Sequence, residues 1–170
     1  MGHAARRWKD EVFLPASPVL SCLAMVFVIA MPYRIPGFAT VMPQLPLIAV
    51  FYWGLMRPDL LPAAAVFAVG LLNDIVTGGP LGLSAIALML ARGLIVSQRR
   101  VFLGKPFIVG WCGFAIVALG VGILEGLLVA AYYKAVPSLD PVLVRFLLTV
   151  AAYPAVAWLL AHLRVSLSNV

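Results

Sequence analysis

Charge is scarce in this chain: its 170 residues include 12 Lys or Arg and only 6 Asp or Glu. Soluble domains are about one-quarter charged, so a water-exposed globular surface is excluded. Cysteine is rarer still, and two residues, Cys22 and Cys112, are too few for a disulfide framework. The two histidines, His3 and His162, have no ligand set near them, which argues against a metal site. No basic stripe with interleaved aromatics occurs on any soluble segment, so nothing points to nucleic acid. There is no repeat and no low-complexity tract. No segment outside the apolar runs exceeds about twenty residues, too short to form an independent domain.

What is abundant is apolar sequence. Sixty-four per cent of the residues are hydrophobic, and they come in long blocks rather than at helical or strand spacing. The uncharged windows 12–33 and 35–56 are each long enough to span a bilayer, as are the runs flanking Asp74, the run from Pro106 and the run after Arg145. The expected fold is all-α: a single integral membrane domain over residues 1–170, built from helices at 17–33, 41–56, 60–76, 81–96, 106–133 and 141–162. Proline supports these boundaries, because it suits a first helical turn and costs about 3 kcal/mol in an interior. Pro43, Pro58, Pro80, Pro106 and Pro141 stand at proposed starts, and Pro154 alone lies deep within a span. Five crossings result instead of six if the second and third segments form one broken hairpin around Arg57-Pro58-Asp59.

Loop charge favours six crossings with both termini cytoplasmic. The inner side then carries Arg6, Arg7, Lys9, Arg57, Arg99, Arg100, Lys105 and Arg164, and the outer side only Arg34 and Lys134. The net charge of +6 is therefore topological, with basic loops facing anionic lipid. Trp8, Trp53, Trp111 and Trp158 all fall near the inner boundary, where amphipathic rings settle. Both cysteines lie in the inner halves of their spans and read as small packing residues. The basic N-terminus and first apolar run could suggest a signal peptide, but the run continues to Tyr33 with no small-x-small site after it; a retained span is expected.

Ionisable residues inside apolar spans are costly and need a reason. Asp74 near the end of the third span, Glu125 in the second half of the fifth and Arg145 near the start of the sixth form a candidate cluster toward the outer side. Glu125 lies roughly 12 Å from the end of its helix at Tyr133. Two readings stand. The cluster lines an outward cavity, or it is structural: Asp74 caps the following helix or bonds the amides of Thr77-Gly78-Gly79, and Arg145 neutralises Glu125. The structural reading is favoured, since buried ion pairs more often fix packing than perform chemistry. Arg92, one turn before the inner end of the fourth span, reads as a side chain that snorkels to the headgroups. Asp59 faces the positive end of the third helix. Glycines add a packing signal: Gly110, Gly113 and Gly120 share one face of the fifth span, and Gly122-Ile-Leu-Glu-Gly126 is a small-xxx-small motif on another, a candidate face for docking a partner's helix.

The segments Pro46-Leu-Ile-Ala-Val-Phe-Tyr-Trp-Gly-Leu-Met-Arg-Pro58, Gly70-Leu-Leu-Asn-Asp74 and Gly79-Pro-Leu-Gly-Leu83 resemble the bacterial rod shape-determining MreD family. The resemblance covers 43 to 103 well and rests elsewhere on length and hydropathy. It implies a multi-pass scaffold in the inner membrane that binds the single-span protein MreC. Through MreC it would link cytoplasmic MreB filaments to peptidoglycan synthesis by RodA and its transpeptidase, for rod cell shape. It also implies a fold similar to the substrate-binding subunits of energy-coupling-factor transporters. Gly70, Asp74, Pro80 and Gly82 match the family motif; Glu125 and Arg145 do not, and rest on the physical reading alone.

The residues themselves give no paired acid–base constellation with a nucleophile: Ser84 has no histidine near it, and the signatures of intramembrane proteases and phosphatidyltransferases are missing. No catalytic, cofactor or metal residue is assigned, and an enzyme is not expected. A scaffold is preferred over a small-molecule (vitamin-like) binding subunit of a transporter, partly by resemblance and partly because few polar groups converge on a pocket.

Overall fold

In the computed structural model, which describes residues 14–31, 42–102, 104–134 and 139–168, every regular element is helical. These are α1 (Leu14–Ala30), α2 (Leu45–Met56), a 3-10 turn (Pro58–Leu60), α3 (Ala63–Thr77), α4 (Leu83–Phe102), α5 (Phe107–Tyr133) and α6 (Leu139–Ser168). Among the described residues there is no strand. His3, Arg6, Arg7, Trp8, Lys9 and Arg34 lie outside the described residues.

Two helices, α5 and α6, are long and apolar enough to cross a membrane. Two others fall short of a full span: α2 and α3 have 12 and 15 residues, or about 18 and 22 Å at 1.5 Å per residue, against a hydrocarbon core of about 30 Å. α2 starts at Leu45 because Pro46 occupies its first turn, where a missing N–H leaves no bond unmade. α4 continues past 96 to Phe102 and places Arg99 and Arg100 in its last turn, where cations complement the negative helix end.

The short α2 is the centre of the molecule. Ten of its twelve residues are buried, which requires cover on every side. α1, α4 and α6 pack along it, while α3 pairs chiefly with α4, and α5 bridges α4 and α6. An aromatic knot joins three of these helices: Phe51 meets Phe114 edge-on at 5.2 Å, and Phe114 stacks on Tyr153 at 4.5 Å. Trp53 belongs to this interior at 3% exposure, its indole N–H donating to Ser21 Oγ at 2.8 Å. It is therefore a core residue and not part of an interfacial belt, unlike Trp111 and Trp158, which are exposed. Cys22 is buried and Cys112 exposed, both as free thiols.

Successive helices run in opposite directions, so the bundle has two chemically distinct ends. One gathers Arg57, Arg92, Arg99, Arg100 and Lys105. There Arg92 Nε donates to Leu61 O at 2.8 Å, and Arg99 Nε to Leu55 O at 3.0 Å. Both arginines of α4 thus satisfy carbonyls at the C-terminus of α2 and the turn after it, which helix geometry leaves unpaired. The continuation of α4 is why Arg92 is a buttress rather than a snorkelling side chain. The other end holds Asp74, Glu125 and Arg145.

Candidate functional site

The α3–α4 turn organises that second end. Gly78 closes α3 in the left-handed conformation (φ 68°), and its amide and that of Gly79 both donate to Asp74 O. Gly82, at φ 95°, turns the chain back so that α4 begins beside the end of α3. The Asp74 side chain, 2% exposed, lies under this turn: Oδ2 accepts from Gly82 N at 2.7 Å and Oδ1 from Ser84 N at 3.0 Å. The carboxylate caps α4 across the turn, using amides of residues 82 and 84 and not those of Thr77 to Gly79. Beside it, Asn73 Nδ2 donates to Ser84 Oγ at 3.0 Å, while Asn73 Oδ1 is buried without a partner. Gly70 permits the close approach below: a Cβ there would meet the backbone of Ala85, its nitrogen at 2.7 Å.

Across the same end, Glu125 of α5 and Arg145 of α6 form an ion pair at 3.6 Å, with side-chain exposures of 13% and 39%. Gln44 completes the group. Its Nε2 donates to Glu125 Oε2 at 2.5 Å and its backbone N–H to Thr149 Oγ1 at 3.0 Å, while Thr149 donates to Arg145 O at 2.7 Å. The N-terminus of α2 is thereby tied to α5 and α6, just as the arginines of α4 tie its C-terminus.

Between these two polar groups lies a cavity of about 470 Å³. Asn73, Asp74 and Ser84 line one side, Gln44, Glu125, Arg145 and Thr149 the other, with apolar surface from Leu47, Leu83, Leu88 and Phe146. Asp74, Glu125 and Arg145 thus border one space, but only Glu125 and Arg145 touch. Pro80 lines it too, whereas Gly70 and Gly82 serve the backbone. Gly122 and Gly126 also line the cavity, and a Cβ at either would meet nothing within 4 Å. The outward side of α5 is instead formed by Ile116, Leu119, Ile123 and Leu127, all exposed. Gly113 is packed under the Phe102 ring, while Gly110 and Gly120 have open space around them.

Comparison with family models, with curated proteins and with solved structures finds no match for this chain.

The expectation that few polar groups converge does not hold at this end, where eight polar side chains, Thr77 among them, border the cavity. Gln44, Asn73, Ser84 and Thr149 were not singled out as site residues in the sequence. The available signal was weak: a lone amide before an apolar run, a second beside a carboxylate, and hydroxyls that helices satisfy internally. Among the described residues no cluster of His, Cys, Asp and Glu has the makings of a metal site.

Proposed function

We propose that this chain is a multi-pass scaffold of the bacterial inner membrane, of the MreD kind. It binds the single transmembrane helix of MreC and helps couple MreB filaments to RodA and its transpeptidase during rod-shaped growth. Six elements cross the bilayer with both termini cytoplasmic, in an arrangement similar to the substrate-binding subunits of energy-coupling-factor transporters. α2 and α3 are short for a bilayer, so their connecting turns lie nearer its midplane than those of full-length spans.

One observation carries this reading. The polar chemistry is turned inward and largely used for support, while the outer surfaces of α4, α5 and α6 present apolar stripes such as Ile86, Leu90 and Leu94. A partner with a single span binds to such a surface through close helix packing. Since Gly122 and Gly126 face the cavity, the exposed stripes of α4 and α5 are the stronger docking surfaces. The test is purification from native membrane with quantified stoichiometry. Stoichiometric MreC supports the scaffold, and bulky polar substitutions at Leu90 and Leu94 should release it; purification without MreC under gentle extraction refutes it.

The cavity favours a second reading, a small-molecule binding subunit of a transporter. Copurification with energy-coupling subunits in place of MreC would select it.

A further inference from the structure

Three charged side chains border the cavity, and they are not equally open to it. Asp74 is buried, and both of its oxygens are taken by the amides of Gly82 and Ser84. Glu125 is 13% exposed and accepts from Gln44 at Oε2, the same atom that faces Arg145. Arg145 is 39% exposed, and its ion pair uses Nη1 alone, at 3.6 Å. The Nε–Nη2 edge has no protein partner among the described residues, so the open charge of the lining is a guanidinium with an idle two-donor fork. The first turns of α2 and α4 also border the cavity, through Pro46, Leu47, Leu83 and Ser84, and helix N-termini favour negative charge.

We propose that this cavity binds an organic anion: a carboxylate on a short apolar body. Its two oxygens accept in parallel from Nε and Nη2 of Arg145, the bidentate geometry that a guanidinium matches best. The resident carboxylates are already turned to donors within the protein, so neither competes for that edge. An ammonium group would meet the open guanidinium and find Asp74 closed, and an alcohol brings one acceptor where two donors wait. The apolar body packs against Leu47, Leu88 and Phe146. A volume of about 470 Å³ falls within the range of small-molecule sites. The proposal rests on the small-molecule reading of the cavity given above, yet the two fail separately: ligand binding is read on the isolated chain, and the transporter role on which subunits copurify.

Calorimetric titration of the purified full chain in neutral detergent, with hexanoate, n-hexanol and n-hexylammonium as matched probes, tests the site. Hexanoate should bind saturably and at least about tenfold more tightly than hexanol, as a charge-assisted fork implies. Hexylammonium should bind no more tightly than hexanol. Arg145→Gln should bring hexanoate down to the level of hexanol while leaving hexanol binding in place, a split that a merely structural arginine would not produce. Glu125→Gln removes the neighbouring negative charge and should bind hexanoate at least as tightly as the parent. Gly122→Leu places a side chain into open cavity space, so it should keep the unfolding transition and weaken hexanoate by about tenfold or more. Should the variants at Arg145 or Glu125 not fold, the probe order of the native protein and Gly122→Leu still decide. Equal affinity for all three probes, a preference of the native protein for hexylammonium, an unchanged hexanoate preference in folded Arg145→Gln, weakened hexanoate binding in folded Glu125→Gln, or undiminished hexanoate binding by folded Gly122→Leu overturns the proposal.

Discussion

Replacing Asp74 with alanine removes the cap that holds α4 against α3. Two backbone amides, Gly82 N and Ser84 N, lose an ionised acceptor at 2.7 and 3.0 Å. Ser84 is buried and Gly82 half-buried, so water replaces the first bond poorly and the second in part. Hydrogen bonds to a charged group contribute about 1.5–3 kcal/mol each, which places the loss at about 3–5 kcal/mol for the pair after that partial compensation. Set against a total stability of about 5–15 kcal/mol, such a loss is severe. Asp74→Asn provides one carbonyl oxygen and sets its amino group against the other amide, so it should recover less than half of the loss. Reversible unfolding in mixed micelles, followed through the fluorescence of buried Trp53, reads the difference directly. If Asp74→Ala unfolds within about 0.5 kcal/mol of the parent, the cap contributes nothing and the reasoning fails. If the scaffold proposal holds, loss of rod shape with stability intact would move Asp74 from support to function.

Gly70→Ala should destabilise by about 1–3 kcal/mol through overpacking against Ala85, although alanine is the better helix former; equal or raised stability in the same assay would contradict the close contact. Arg99→Met leaves Leu55 O unpaired at the end of α2 and should cost about 1.5–3 kcal/mol, with an unchanged unfolding midpoint counting against the buttress. Glu125→Ala should destabilise more than Glu125→Ala combined with Arg145→Ala, because the single change strands a half-buried cation; a double-mutant cycle with no coupling would deny the pair any role. Reporter fusions after Val170 should read cytoplasmic and those within 136–140 external, and an outward C-terminus would overturn the six-crossing topology.

The helical character of the chain was legible from its apolar blocks, and so was the importance of the α3–α4 turn, where Asp74 precedes three glycines and Pro80. The partners of Asp74 were not legible. They depend on the positive φ of Gly82, which folds the chain so that amides eight and ten residues away reach the carboxylate. Helix lengths failed for a related reason, since a window without charge measures lipid compatibility and not where backbone bonding starts and stops. The segment 41–56 passed as a span, yet Pro46 fixes a later start and Arg57 ends the helix. Arg92 looked terminal because Arg99 and Arg100 resembled a loop, when they form the last turn of α4. The convergence of Gln44 on Glu125 and Thr149 joins residues 81 and 105 positions apart, which no local pattern encodes.

The enclosure of α2 has a consequence for the order in which the molecule is made. The helix emerges early during synthesis, but neither of its ends can be secured at that time. Leu55 O waits 44 residues for Arg99, and the Gln44 amide waits 105 residues for Thr149. Until α6 follows, the most apolar helix stays open along the flank that α6 will cover, a flank that faces lipid if the proposed membrane setting holds. Assembly is therefore a late closing event governed by the C-terminal third of the chain. Truncations that remove α6 should leave a product that inserts, yet is recognised and degraded as an unfinished membrane protein.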